Sequence, residues 1–310
     1  MQLIENLEDI KSAFNKAVIT IGNFDGVHIG HQALFHEVIE RADAIGGTSI
    51  AMTFEPHPIR VLKQNGDPPL ITLYDQKVEL INKSGIDVLI VVPFNKEFAA
   101  ITAKEYILDI LLKRIGVRVI VVGEDYTFGK NREGNLNLLR SYAETLDIQV
   151  VVVDWIPIAN QGGSRISSTR IRQLVMDGKV RDAQKLLGRH YQIKGEVVTG
   201  RDRGGKLLGF PTANINLHDE LCPKPGVYAV TVESMGRSHQ GVANIGYSPT
   251  FDDHEFTVEV HILNFDNNIY GQEIRVNFIQ RIRDEIKFSN IDELSDQITK
   301  DVLIARDMLK

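Results

Sequence analysis

Ten residues, Gly22-Asn23-Phe24-Asp25-Gly26-Val27-His28-Ile29-Gly30-His31, have the types and spacing needed to grip a polyphosphate. They follow a β-branched run, Val18–Ile21, and open a stretch with helical spacing. Gly22 and Gly26 let the backbone turn and approach a ligand closely. The start of a helix offers unpaired amide N–H groups to phosphate oxygens. His28 and His31 lie about one helical turn apart, so both imidazoles can face one triphosphate. The bland alternative is a strand-to-helix turn with two incidental histidines. A zinc site is the other alternative, but the H-E-x-x-H spacing is absent and nothing nearby adds ligands. The residue types favour phosphate binding.

Two more stretches belong with these. Phe54-Glu55-Pro56-His57-Pro58 follows the end of a strand, where loop residues can reach the same place. Ser164-Arg165-Ile166-Ser167-Ser168-Thr169-Arg170-Ile171-Arg172 brings hydroxyls and guanidiniums to the start of another helix. Hydroxyls there commonly serve as N-caps. Arg165, Arg170 and Arg172 exceed what capping needs, and guanidinium forks suit phosphate.

Further along, Gly200-Arg201-Asp202-Arg203-Gly204-Gly205-Lys206-Leu207 nearly spells a P-loop. The match fails: Leu207 stands where Ser or Thr must hold Mg²⁺, and Gly209-Phe210-Pro211 prevents a following helix. Gly200, Gly204, Gly205 and Gly209 beside Lys206 still suit a backbone cradle for phosphate. Glu259 alternates with Val258 and Val260, so by itself it reads as a solvent-facing strand residue. His261 shares its face and reads as a packed strand residue. Trp155 and Cys222 read as packing residues, and Arg281 and Arg283 as surface charges.

The elements that must position these residues come in two textures. Up to about residue 187, short runs (Val18–Ile21, Ser49–Phe54, Val88–Val92, Val117–Val122, Val150–Val153) alternate with helical stretches. Ile29 to Ile45 puts Leu34, Val38 and Ala42 on one face. Strands buried on both faces and separated by helices form a parallel sheet of βαβ units, with ligands beyond the carboxyl ends of its strands. After about residue 190, strand-like pieces follow one another (Tyr191–Thr199, Val227–Glu233, Gln240–Ile245, Phe256–Leu263, Glu273–Phe278). Gly and Pro at their joints predict a compact antiparallel barrel. An acidic helix carrying Leu294, Ile298, Val302 and Met308 closes the chain with a solvated outer face. The expected domains are 1–187 and 188–310.

Composition sets the outer bounds. The 310 residues and 43% hydrophobic content allow two globular domains. A net charge of −6 supplies no long-range attraction for nucleic acid or an anionic membrane, so neither is an expected partner. Cys222 alone excludes a disulfide framework and a Cys-rich zinc cluster. The N-terminus lacks the basic and apolar regions of a secretory signal, and no segment has the length of a membrane span. A cytoplasmic protein is expected.

The first half resembles the FMN adenylyltransferase module of prokaryotic bifunctional FAD synthetases, within the HxGH nucleotidyltransferases. The pieces that carry the resemblance are Gly22–His31, Phe54–Pro58, Val122-Gly123-Glu124-Asp125-Tyr126-Thr127-Phe128-Gly129 and Ile166–Arg172. Asp125-Tyr126 departs conservatively from the family's usual Asn or Asp followed by Phe. The second half resembles riboflavin kinase through the Gly-rich loop, Pro211-Thr212-Ala213-Asn214, Pro225–Ala229, Asn244–Phe251 and Glu259-Val260-His261. The resemblance implies a Rossmann-like α/β domain with a parallel sheet, followed by an antiparallel β-barrel kinase domain ending in a helix. It implies phosphorylation of riboflavin to FMN, then adenylylation of FMN to FAD, with ATP as co-substrate and Mg²⁺ as cofactor. His28 and His31 would stabilise the triphosphate and Asn23 would contact an ATP phosphate. Ser167, Ser168 and Arg170 would hold the pyrophosphate side, with Asp125 near the nucleotide. Glu259 matches the kinase's catalytic base. Gly200, Gly205 and Lys206 would cradle phosphate, and Thr212 and Asn214 are candidate Mg²⁺ ligands.

Overall fold

The computed structural model describes residues 1–62, 68–154, 156, 165–199, 210–217, 219–247 and 256–310. They fall into two compact units, Met1–Ser168 and Thr169–Lys310. The second unit begins ahead of the change of texture near residue 187. The helix Val180–Leu187 packs on strands of the barrel and belongs with it.

The first unit holds a six-stranded parallel sheet. Its strands are β1 (Gln2–Ile4), β2 (Ala17–Ile21), β3 (Ser49–Glu55), β4 (Val88–Pro93), β5 (Val117–Gly123) and β6 (Gln149–Val153). Their spatial order is β1-β4-β3-β2-β5-β6. The chain leaves β2 in one direction through β3 and β4, then returns to β2's other side as β5. That reversal opens a crevice at the carboxyl ends of β2 and β5, where such sheets bind ligands.

Alternation along the strands feeds two cores. Val18, Ala51, Leu89, Val119 and Val121 pack with Phe35, Val38 and Ala42 of helix α1 (Ile29–Ile45). Ile19, Ile50, Met52, Ile90 and Ile120 pack with Tyr106, Ile107, Ile110 and Leu111 on the opposite face. Burial on both sides is why these strands read as continuous apolar runs. One detail of α1 differs from the sequence pattern. Phe35, not Leu34, is the fully buried residue, and Leu34 is only half-buried.

The second unit closes into an antiparallel barrel. It is built from β7 (Tyr191–Val198), β8 (Ala213–Asn216), β9 (Gly226–Ser234), β10 (Arg237–Tyr247), β11 (Phe256–Ile262) and β12 (Glu273–Arg283). The order β10-β11-β8-β7-β12-β9 returns to β10. Tyr191, Tyr228 and Phe278 are buried, and both tyrosine rings meet the ring of Phe278. The C-terminal helix, Ile291–Met308, lays Val302, Ala305 and Met308 on Val227, Ala229 and Val242.

Arg283 and Arg281 are not the surface charges expected from sequence. Arg283 makes a bidentate pair with Asp301 of that helix, at 3.0 Å from Nε and 2.7 Å from Nη2, and Asp301 is 2% exposed. Arg281 donates to the Pro225 carbonyl and pairs with Asp284 at 2.7 Å. Asp301 lies 18 positions from Arg283, beyond the reach of a local pattern, whereas Asp284 directly follows the strand.

Candidate functional site

The phosphate-binding candidate lies in the crevice described above. After β2 the chain turns through Gly22–Gly26, with Gly26 at φ +85°, and enters α1. His28 caps α1: its Nδ1 accepts from the His31 N–H at 3.3 Å. With Nδ1 an acceptor, the neutral ring carries its proton on Nε2 and is a donor there. The His31 ring stacks on His28 with centroids 3.6 Å apart and 17° between planes, and meets the edge of Phe24 at 5.3 Å. Gly30 makes this pairing possible. A Cβ there would stand 3.2 Å from Nδ1 and Cε1 of His28. The spacing of the two histidines therefore does bring both imidazoles to one spot at a helix N-terminus, where the macrodipole and free amides favour an anion.

Asp25 shapes the turn. It is 3% exposed, and its Oδ1 accepts from the N–H groups of Ile71 and Thr72 at 3.0 and 3.1 Å. Thr72 Oγ1 in turn accepts from the Gly26 N–H at 3.0 Å. Sequence reading passed over Asp25, because its partners lie 46 and 47 positions away. Asp25→Ala strands several buried donors and is expected to destabilise the protein by about 2–4 kcal/mol. A shift of the urea midpoint at unchanged slope measures it; an unshifted midpoint would count against the clamp.

The other expected residues are placed as follows. Ser168 begins the helix Ser168–Met176, and its hydroxyl donates to the Asp25 carbonyl at 2.9 Å. Ser167 precedes it and Arg170 stands in its first turn. Asp125, in the turn after β5, is exposed and lies 3.5 Å from Arg165. Asn23 accepts at its backbone carbonyl from Thr53 Oγ1 at 3.2 Å. Glu55, the last residue of β3, pairs with Lys77, and beyond the strand His57 Nδ1 accepts from the Ile59 N–H at 3.2 Å. A chain of rings, Phe94, Phe54, Phe98, Tyr106, Phe128 and Tyr126, runs across the carboxyl ends of β3, β4 and β5, with successive centroids 5.4–6.4 Å apart. Phe54, Phe94 and Phe98 are only half-buried and offer apolar surface. Ser164, Trp155, Gly200, Gly205 and Lys206 lie outside the described residues.

The barrel carries the second candidate. On β11, Val258 and Val260 point into the core at 1% and 0% exposure, so Glu259 lies on the opposite face, as alternation predicts, but it is half-buried there rather than open to solvent. In register it lies between Asn214 of β8 and Asn244 of β10. Directly opposed side chains stand about 5 Å apart at Cβ, so these three polar residues form one row across three strands. Burial pushes the Glu259 carboxyl above its ordinary value. His261 Nδ1–H donates to the Pro211 carbonyl at 2.8 Å, and its ring meets Phe210 edge-on at 5.5 Å. It thus fixes the chain leading into Thr212 and Asn214. Asn244 was not singled out from sequence, although it sits in a quoted motif; its place in the row depends on strand register.

Comparison with known proteins shows the family of the chain. A family model for FAD synthetase matches residues 10–170, and one for riboflavin kinase matches residues 187–309. The chain is 38% identical to the bifunctional riboflavin kinase/FMN adenylyltransferase of Escherichia coli K12, over 99% of this chain and 97% of that one. The chain belongs to the bifunctional riboflavin kinase/FMN adenylyltransferase family. A Haemophilus influenzae member is 36% identical, covering 99% and 98%. A crystal structure from Streptococcus pneumoniae, described as a macrolide-efflux protein, superposes with a TM-score of 0.88 at 34% identity, covering 98% of both chains. Among the described residues, no helix here is long and apolar enough to cross a membrane. As a member of this family the protein phosphorylates riboflavin to FMN and adenylylates FMN to FAD, using ATP in both steps.

Proposed function

We propose that adenylyl transfer takes place at the carboxyl ends of β2 and β5, within residues 1–187. Phosphoryl transfer is assigned to the outer face of β8, β11 and β10, within 188–310. The observation that carries the first assignment is the stacked His28–His31 pair at the N-terminus of α1, in the crevice at the switch point. An FMN phosphate oxygen attacks the α-phosphorus of ATP in line, and pyrophosphate leaves. This nucleophile is already ionised at neutral pH, so positioning and charge stabilisation suffice. His28 and His31 donate to the triphosphate, and Asn23 contacts it. Ser167 and Arg170 hold the pyrophosphate side, while Ser168, its proton given to the Asp25 carbonyl, fixes the loop. Asp125 borders the nucleotide, and the half-buried rings of Phe54, Phe94 and Phe98 suit a flat aromatic substrate.

Riboflavin's ribityl hydroxyl differs in one respect: it must lose a proton as it attacks the γ-phosphorus of ATP. Glu259 takes that proton, and ADP leaves. Gly200, Gly205 and Lys206 complete this site by holding phosphate. Mg²⁺ is part of the proposal. Thr212 and Asn214 carry hard oxygen donors beside Glu259, which fits a cation shared with substrate phosphates. Among the described residues, no group of three or more His, Cys, Asp or Glu side chains could hold a metal alone. Bound there, the ion would neutralise phosphate charge. The partners are small molecules alone, and a cytoplasmic location, where ATP is supplied, belongs to the same reading.

Incubation with riboflavin, ATP and Mg²⁺ followed by chromatography of the flavins tests it. FMN should appear first and FAD after it, and chelation of Mg²⁺ should stop both. Undiminished turnover in excess chelator would remove the metal from both sites.

A further inference from the structure

We propose that Lys77 is a positioning residue for adenylyl transfer, the far anchor of a brace that fixes two loops of that site relative to each other. The inference rests on assigning that reaction to the carboxyl ends of β2 and β5.

Lys77 lies in the helix Tyr74–Lys83, and its side chain is 6% exposed. An ammonium group so enclosed is costly unless it is paired. Here Nζ stands 3.2 Å from Oε2 of Glu55 and 3.4 Å from the carbonyl of Phe54. Both acceptors belong to the last two residues of β3, from which the chain runs on to Pro58, and the Glu55 side chain is 34% exposed. A buried helical position would ordinarily hold a leucine. The cation replaces apolar burial with a directional tie to the end of β3.

The same short segment grips the phosphate loop at its other end. Ile71 and Thr72 donate N–H groups to Asp25, and Thr72 Oγ1 accepts from the Gly26 N–H. That loop needs holding. Phe24 and Val27 sit at φ 48° and 39°, and a β-branched residue rarely adopts such a conformation. Strained backbone persists only where its surroundings over-determine it. Residues 71 to 77 therefore tie the turn after β2, at Asp25 and Gly26, to the carboxyl end of the neighbouring strand β3, at Phe54 and Glu55. Lys77 meets no reacting group on this reading; it acts by keeping the second loop in place.

The test uses the full-length protein and the two reactions as mutual controls. Lys77→Met keeps the stem's volume and removes the charge. FMN adenylylation is expected to lose roughly 10- to 100-fold in kcat/KM, because a displacement near 1 Å at a site can cost that much. Riboflavin phosphorylation by the same sample should stay unchanged, which a globally misfolded chain could not do. Glu55→Gln, at a partly exposed position, should show a loss in the same direction even if Lys77→Met fails to fold. In the double variant the two losses should not multiply, since both remove one link. Lys77→Arg should restore part of the activity.

Unchanged adenylylation in Lys77→Met, or in Glu55→Gln if Lys77→Met does not fold, would overturn the proposal. So would losses that multiply in the double variant. Failure of the site assignment itself would look different: His28→Ala would then leave FAD formation intact.

Discussion

Replacing Glu259 by Gln is expected to cut riboflavin phosphorylation by about a hundred- to ten-thousand-fold, the range seen when a positioned general base is removed. FMN adenylylation should stay within about twofold, because separated sites act independently. The substitution preserves size and shape and keeps the row with Asn214 and Asn244 hydrogen-bond capable. What it removes, on the proposed assignment, is the ability to accept a proton from the ribityl hydroxyl. Supplying FMN directly separates the two reactions in one experiment. If the variant still phosphorylated riboflavin at the wild-type rate, Glu259 would not be the base.

Burial adds a signature that a merely structural residue would lack. The Glu259 carboxyl titrates above 4.5, its ordinary value, because its charged form is poorly solvated. The base works ionised, so kinase kcat/KM should fall as pH drops through this raised value. The acid limb then lies at higher pH than an exposed glutamate would give. The stability consequence has the opposite sign. A carboxylate with a raised folded-state pKa contributes stability below its unfolded value, and that contribution is lost as pH rises through the folded one. At neutral pH the ionised Glu259 therefore works against folding. Glu259→Gln should be inactive as a kinase yet unfold at the same temperature or higher at pH 7.5. A lower Tm there would contradict a desolvated carboxylate at this position.

The fold was legible where burial writes a local pattern. Helix α1 runs Ile29–Ile45, as the apolar spacing required, and five of the parallel strands announce themselves as β-branched runs. Short pieces were not legible. β1 has three residues and β8 four, too few to show a period, and both are fixed by partners: β1 by β4, β8 by β7 and β11. Without β8 the barrel would not close, yet Ala213-Asn214-Ile215-Asn216 carries no β-branched run that would mark a strand. The helix Val180–Leu187 shows the same limit. Its amphipathic spacing is local, but the unit it packs into is decided by tertiary contacts.

The sites divide along the same line. The residues proposed to meet the triphosphate are grouped in a glycine-rich turn and at helix starts, where the backbone has to be special and the sequence shows it. Residues that act on other residues were passed over: Asp25 through Ile71 and Thr72, Lys77 through Glu55, Asp301 through Arg283, Asn244 through register. Each depends on an interaction across many positions. A buried charge with no local partner, such as Lys77 amid a helical pattern, is the one sequence-level hint that such a contact exists.

His28 carries two roles, and their separation gives the second large expected effect. On the proposed assignment, as a donor at the α1 N-terminus it stabilises charge on the triphosphate. As the N-cap it satisfies the His31 N–H through Nδ1. His28→Ala removes both, so FAD formation should fall by about a hundred- to a thousand-fold, the usual effect of losing one charge-stabilising donor. Stability should fall by about 1 kcal/mol for the lost cap. His28→Asn retains a capping oxygen and a weaker donor, so stability should recover while adenylylation recovers only in part. His28→Asp caps equally well but sets a negative charge against the phosphates, so it should be as stable as Asn and less active than Ala. Riboflavin phosphorylation should be indifferent to all three. If activity instead tracked stability across the series, His28 would be a cap alone. The stacked contact with His31 would then have to be explained by packing, and the charge-stabilising role would pass to His31 and the amides behind it.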